Sequence, residues 1–307
     1  MGNLTRRSAS IPALFLLGLI GCSRAQPEPV LPEDLPWTPF RWVTAVYPEF
    51  RLERAAMLVP ADVAGTRSLL QLDLAASGSM PFGYPRGEPA ASIRRKGQLY
   101  GLAMGAPMLE SPPSPADSSA LLPSLHEIGT MGLPMFERRV LLIDYRGGRF
   151  ASLSAGTLPQ SLEAAATFVP LEERNGRLTF TLAAGERAIG PVHLDTGLSP
   201  FPLWTGHDTW RELTVRGGAE ESNLVRRLPS PAGELLMVGA PAARPIRIGG
   251  LDLGRPTVWF LRQGPPGATL EQWPERTAGV AGNLLFADRY LLLMDVERNR
   301  LGLIRRE

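Results

Sequence analysis

The chain has 307 residues, 44% of them hydrophobic and 20% charged, which suits a globular protein long enough for two domains or lobes. Its 32 glycines and 30 prolines favour many turns over long helices, and therefore a mainly β protein. The formal net charge is only +2 and no basic run is longer than Arg94-Arg95-Lys96, so nucleic acid is excluded as an expected partner.

The N-terminus has the pattern of a secretory signal. Arg6 and Arg7 precede an apolar run over residues 11–21, which is too short to span a bilayer. The run ends in Leu19-Ile20-Gly21-Cys22, which resembles a bacterial lipobox. We therefore expect residues 1–21 to be a signal peptide and Cys22 to be lipidated. The alternative is an ordinary signal peptide followed by a chance cysteine.

Cys22 is the only cysteine, so no internal disulfide can form. By resemblance to lipoprotein sorting in Gram-negative bacteria, Ser23 implies a lipid anchor in the outer membrane, with the protein facing the periplasm. Residues 22–36 are rich in proline and polar residues and read as a tether that holds the folded part off the membrane. We expect an N-terminal lobe over residues 37–155 and a C-terminal lobe over residues 156–307.

The first half contains two predicted strands that lead to an aspartate. Apolar-rich runs over 57–63 and 68–74 flank an Ala64-Gly65-Thr66 turn, which predicts a β-hairpin with Asp73 near its end. A Gly-containing element follows at Ile128–Arg139, and the next residues predict a closing hairpin around Gly147-Gly148.

The second half repeats this order. Apolar runs over 178–182 and 188–194 flank a turn at Ala183–Glu186, and Asp195 follows in Asp195-Thr196-Gly197-Leu198-Ser199. Ala278–Leu285 is a second Gly-containing element, and residues 290–304 predict strand, turn and strand. The order of elements therefore indicates two copies of one β unit.

The two copies can be aligned on Asp73 and Asp195. Gly129, Gly132, Phe136 and Arg139 then lie 150 positions before their counterparts, which are Gly279, Gly282, Phe286 and Arg289. Asp73 to Gly132 is 59 positions and Asp195 to Gly282 is 87, so we expect an insertion in the second copy, within 205–234.

The residues Leu194–Ser199 resemble the Asp-Thr-Gly signature of the pepsin and retropepsin aspartic peptidases. Two copies in one chain correspond to the pepsin arrangement. The resemblance covers roughly 56–304 and is specific at the two aspartate turns and the two Gly-containing elements. It implies a bilobal, mainly β, pepsin-like (acid protease) fold, in which two pseudo-symmetric β lobes with short helices enclose a cleft.

The same resemblance implies a catalytic dyad of Asp73 and Asp195. Two carboxylates about 3 Å apart repel by roughly 5 kcal/mol at an effective dielectric near 20, so they would share one proton and act as general base and general acid. Thr196 would brace the dyad and Gly197 would let the backbone approach it. The expected substrate-binding residues are Ser77, Ser199 and, in a candidate flap over 95–101, Tyr100.

The first copy departs from the family pattern, because Leu74 and Ala75 stand where the signature has threonine and glycine. Half of the threonine brace is therefore missing. In both copies the residue two before the aspartate is polar, Gln71 and His193, and on a strand it faces the same way as the aspartate. Either these side chains approach the dyad or each other, or they are ordinary hydrogen-bonded strand residues.

Two functions remain open at this stage. One is an aspartic-type endopeptidase that hydrolyses peptide bonds in peptide or protein substrates. The other is a catalytically inactive envelope lipoprotein of the same fold that binds peptides or a protein partner. No cofactor is expected, and no metal, because His193 and Asp195 have no third ligand at useful spacing. We expect a monomer attached to the membrane through the lipid on Cys22.

Overall fold

The structure is a computed structural model and describes residues 30–63, 66–76, 103–104, 130–136, 138–174, 176–214, 223–230, 233–265 and 277–306. These residues form 21 strands and a few short helices, so the expected mainly β architecture is confirmed. No helix among them is both long enough and apolar enough to cross a membrane. Cys22, Ser77, Tyr100 and the candidate flap lie outside the described residues.

The strands of the first half and its boundary are β1 (Thr38–Pro39), β2 (Arg41–Val46), β3 (Arg51–Val63), β4 (Thr66–Asp73), β5 (Ala103–Met104), β6 (Thr130–Gly132), β7 (Arg139–Asp144) and β8 (Arg149–Ser154). The remaining strands are β9 (Thr167–Pro170), β10 (Glu172–Arg174), β11 (Arg177–Ala184), β12 (Arg187–Leu194), β13 (Leu203–Thr205), β14 (Leu224–Ser230), β15 (Gly233–Pro241), β16 (Ile246–Ile248), β17 (Leu251–Asp252), β18 (Thr257–Gln263), β19 (Gly279–Ala281), β20 (Tyr290–Asp295) and β21 (Arg300–Arg305). The α-helices are Gln160–Ala165 and His207–Leu213, and the 3-10 helices are Leu133–Phe136 and Asn283–Leu285.

Each half of the chain builds its own sheet. In the first lobe the strand order is β2-β3-β4-β6, with β5 added to β3. In the second lobe the order is β14-β15-β18-β13-β19-β12-β11-β16-β17, with β10 added to β11. The predicted hairpins are formed: β3 pairs with β4, and β11 pairs with β12 around a turn in which Gly185 has a positive φ of 65°.

A third sheet, of order β1-β8-β7-β20-β21-β9, takes strands from both halves and joins the lobes. Its central strands are β7 and β20, which pair antiparallel. Both strands are apolar almost without interruption, because both faces of this sheet are covered. Ile143 and Leu292 pack into the main core, whereas Leu142 and Leu293 pack on the other face with the helix Gln160–Ala165.

The two closing hairpins contain the same buried ion pair. Asp144 Oδ2 accepts from Arg149 Nε at 3.0 Å, and Asp295 Oδ2 accepts from Arg300 Nε at 2.9 Å. The other carboxylate oxygen of each aspartate accepts a backbone N–H three residues on, from Gly147 and Arg298 respectively. The aspartates are 295 − 144 = 151 positions apart. Because β7 and β20 are equally long and end at these aspartates, Arg139 corresponds to Tyr290 and not, as the alignment of the two copies predicts, to Arg289. The extra residue of the second copy lies between Phe286 and β20.

Candidate active site

Equivalent strand pairs deliver the two aspartates. β4 runs parallel to β6 with Asp73 opposite Gly132, and β12 runs parallel to β19 with Leu194 opposite Ala281. The next residue along, Asp195, donates its backbone N–H to the carbonyl of Ala281 at 2.9 Å. Both aspartates thus lie where a strand ends beside a Gly-containing element, as the alignment of the two copies predicts.

The carboxyl of Asp73 packs against the second-lobe turn that carries Asp195, and each carboxyl affects the pKa of the other. Asp73 Oδ1 accepts the backbone N–H groups of Ala75 and Ala76 at 3.0 and 3.1 Å. Asp195 Oδ1 accepts the N–H of Leu198 at 2.9 Å. The two turns therefore hold their carboxylates through backbone donors in the same way, and both residues are half-buried.

Gly197 is required by the close approach of the two lobes. A Cβ atom at this position would lie 2.7 Å from Cγ of Asp73 and 2.9 Å from its Oδ2. Cβ atoms in proteins essentially never come this close to another heavy atom. The first-lobe carboxyl therefore packs directly on the second-lobe turn. Ala75 occupies the corresponding position of the first-lobe turn and adds one methyl group there.

The arrangement of the sheets and of the two aspartate turns decides the fold. The fold is pepsin-like. No family model and no curated protein sequence matches the chain.

Among solved structures, the chain is similar to basic 7S globulin from soybean (9% identity, TM-score 0.45, covering 87% of this chain and 94% of that one). It is also similar to an aspartic proteinase from Irpex lacteus (12%, 0.41, 88% and 96%) and to a retropepsin-like aspartic protease from Rickettsia conorii (12%, 0.31, 45% and 90%). At these identities the likeness concerns the fold and leaves the activity open.

Within this pepsin-like fold, the environment of the dyad favours a shared proton. Burial, and then the negative charge of Asp73, raise the pKa of Asp195 to about 7, against the backbone donors of Leu198 and Gly197 and the charge of Arg177. Burial also raises the pKa of Asp73, although backbone N–H groups, Arg177 and the side chain of Asp195 oppose the rise. Raised pKa values on two interacting carboxyls favour a state in which the pair shares one proton.

Thr196 joins the lobes through its hydroxyl. Oγ1 donates to the carbonyl of Leu72 and accepts from the backbone N–H of Leu74, both at 2.9 Å. Thr196 is fully buried, so these two bonds satisfy groups that water cannot reach. Leu74, also fully buried, packs into the main core and has no hydroxyl to return the contact. Half of the brace is present, as the sequence predicts.

Gln71 makes a second contact from lobe to lobe. Its Nε2 donates to the carbonyl of Gly197 at 3.0 Å. Gln71 is therefore a hydrogen-bonded strand residue whose side chain reaches the turn that carries Asp195. His193, at the same position of the second copy, is buried on β12.

Ser199 does not lie where the sequence analysis expected it. The side chain is fully buried, with Oγ donating to the carbonyl of Thr196 at 2.9 Å and accepting from Nδ2 of Asn283 at 2.7 Å. It has no exposed surface with which to contact a substrate backbone, because the chain turns inward after Leu198 to pack Phe201 in the second lobe. Its role is to hold the turn.

Asn283 supports the turn and was not identified from the sequence. Its Nδ2 also donates to the carbonyl of Thr196 at 2.7 Å, and its Oδ1 accepts the hydroxyl of Tyr145 at 2.9 Å. Tyr145 follows β7, so the network connects the first half of the chain to the second-lobe turn. The available signal was a single amide in the otherwise apolar run Val280–Phe286.

Arg177 is a second residue that sequence reasoning missed. β11 and β12 pair with Thr179 opposite His193, and continuing this register by two residues brings Arg177 opposite Asp195. Directly opposite residues of a sheet present their side chains on the same face. Its positive charge lowers the pKa of both aspartates. No cluster of three or more metal-ligating side chains occurs in the described part of the chain.

Proposed function

We propose that this protein is an aspartic-type endopeptidase that hydrolyses peptide bonds with a water molecule activated between Asp73 and Asp195. The observation that carries the proposal is that the carboxyl of Asp73, from the first lobe, packs against the second-lobe turn that carries Asp195. Its chemical basis is that one carboxyl of the pair is ionised while the other keeps its proton.

In the proposed reaction, the ionised carboxylate takes a proton from water as the oxygen of that water attacks the peptide carbonyl carbon. The protonated carboxyl gives its proton to the carbonyl oxygen, so a neutral tetrahedral diol forms. Collapse of the diol breaks the C–N bond: the carboxyl that received a proton from water gives it to the leaving amine, and the other carboxylate takes back a proton from a diol hydroxyl as the carbonyl re-forms. Protons balance over the cycle, and the dyad is restored to its starting state.

A second candidate function is peptide or protein binding without cleavage. It is favoured by Leu74 and Ala75, which remove the hydroxyl and the glycine from the first-lobe turn. In this second function, the methyl group that Ala75 adds in place of glycine would crowd the dyad. In this case the cleft would hold an extended peptide but would not position a water molecule for attack.

The two functions are separated by assaying the purified protein on a mixed peptide library from pH 3 to 7. Asp73→Asn and Asp195→Asn are tested beside it, with Asp208→Asn as the matched control because its side chain is 96% exposed. Cleavage that is lost in both dyad variants but kept in the control supports the peptidase. Cleavage that survives in Asp73→Asn rejects a two-aspartate mechanism, and peptide binding without cleavage supports the second function.

We also propose that the protein is a lipoprotein of the bacterial outer membrane, with residues 1–21 removed and lipid attached to Cys22. The proposal is supported by the lipobox-like sequence that ends at Cys22 and by the tether that follows it. Two or more acyl chains give far tighter membrane attachment than one. Labelled palmitate should be incorporated into the wild type and not into Cys22→Ser, and incorporation into both would refute the site.

A further inference from the structure

The two aspartate turns are connected by side chains that reach in opposite directions. From the second lobe, Thr196 bonds to the backbone of Leu72 and Leu74. From the first lobe, Gln71 Nε2 donates to the carbonyl of Gly197 at 3.0 Å, over 126 positions of sequence. Leu74, which corresponds to Thr196, has no hydroxyl with which to bond to the backbone of the second-lobe turn. The contact from the first lobe is therefore made three residues earlier, by an amide.

We propose that Gln71 is a positioning residue of the dyad and takes the place of the hydroxyl that position 74 lacks. The inference rests on the proposed function, because it concerns the geometry of the same site. Gly197, whose carbonyl Gln71 holds, packs directly against the carboxyl of Asp73. Fixing this peptide therefore fixes how closely the second-lobe turn approaches Asp73, and so the separation of the two carboxyl groups.

The position of Gln71 on its strand suits this role. Residues two apart on a strand face the same side of the sheet, so Gln71 and Asp73 are both directed to the opposite lobe. Gln71 is paired on both sides within the sheet, with Leu58 on β3 and Thr130 on β6. The backbone thus holds the residue in place, and the amide is left to bond across the lobes.

The direct test is Gln71→Met, which keeps the length and volume of the side chain but removes its N–H donors. With a peptide that the wild type cleaves, kcat should fall about three- to tenfold, the value of one net hydrogen bond, while KM changes by less than about twofold. Gln71→Asn, which is too short to reach Gly197, should show the same loss. Gln263→Met, on the exposed end of β18, is the matched control and should behave as wild type.

The decisive variant is the rescue by Leu74→Thr. If Gln71 replaces the missing threonine, then Leu74→Thr in the Gln71→Met background should recover at least half of the lost kcat on a logarithmic scale. Recovery of this kind would not occur if Gln71 only satisfied a buried polar group. Equal kcat in wild type and Gln71→Met, or a loss that Leu74→Thr does not restore, would overturn the proposal.

A second measurement keeps the inference separate from the proposed function. The carboxyl carbons of Asp73 and Asp195 can be titrated by NMR in protein labelled with carbon-13 aspartate. Carboxyls that move apart repel less, so the gap between their two titration midpoints should narrow in Gln71→Met and widen again in the rescue variant. If no peptide is cleaved, the proposed function fails, while an unchanged gap in Gln71→Met would by itself refute the role of Gln71.

Discussion

Replacing Asp195 with asparagine should change how the stability of the protein depends on pH. Burial and the neighbouring charge of Asp73 raise the pKa of Asp195 from the ordinary 3.8 to about 7. Between these values the folded protein keeps a proton that the unfolded chain has released. The free energy of unfolding therefore falls as pH rises, by about 1.4 kcal/mol per pH unit, and is lowest above pH 7. Asparagine cannot ionise, so the free energy of unfolding of the variant does not decrease in this way as pH rises.

The stability difference between Asp195→Asn and the wild type follows from the size of the pKa shift of Asp195. Three pKa units correspond to about 4 kcal/mol, and because the side chain is partly exposed, solvent screening reduces the expected value to about 2–4 kcal/mol. Asp195→Asn should therefore match the wild type near pH 4 and be more stable by this amount at pH 8. In thermal unfolding, the difference corresponds to a midpoint roughly 3–7 °C higher at pH 8.

The assay is calorimetric unfolding of both proteins at each pH unit from 4 to 8. Ionisable groups that do not interact with Asp195 contribute equally to both curves and cancel in the difference, so the difference reports the coupled pair of Asp195 and Asp73. Asp208→Asn, a change at an exposed carboxylate, should follow the wild type throughout. A constant difference between Asp195→Asn and wild type across this range would refute the raised pKa, and with it the shared proton of the dyad.

Three further changes test the same site. Thr196→Val should lower the free energy of unfolding by about 2–4 kcal/mol, because it leaves two buried backbone groups unbonded; Thr157→Val, at an exposed threonine, should lower it far less in the same denaturation experiment. Arg177→Gln should raise the pKa of both aspartates, so the acid side of the pH profile of kcat/KM should move to higher pH. An unchanged profile would show that the charge of Arg177 does not act on the two carboxyls. Gly197→Ala should abolish cleavage while far-ultraviolet circular dichroism stays unchanged, because a methyl group would overlap the carboxyl of Asp73; full activity would contradict the observed packing.

The repeated elements could be predicted because they depend on short-range patterns. A hairpin followed by Asp73 or Asp195 is visible as two apolar runs, a turn and a carboxylate, and its parallel partner as a run of small residues and glycines. Gly197 was predicted for the correct physical reason, the close approach of backbone and carboxyl. The boundaries assigned to the lobes, 37–155 and 156–307, stay predictions.

The support of the site could not be predicted because it depends on contacts that are distant in sequence. Asn283 bonds to Thr196 and to Tyr145 only after both halves have folded together. Arg177 becomes relevant through the register of one hairpin, which no local pattern encodes. Ser199 was misplaced because its spacing from Asp195 does not reveal that the chain turns inward.

The shared sheet makes the two lobes dependent on each other. β7 and β20 form its centre, and each belongs to a different half of the chain. If the halves were separated, each would present an unpaired strand of almost wholly apolar residues to water, which invites edge-to-edge aggregation. A single cut of the peptide chain between the halves should therefore leave the fragments associated, and the protein should unfold as one cooperative unit.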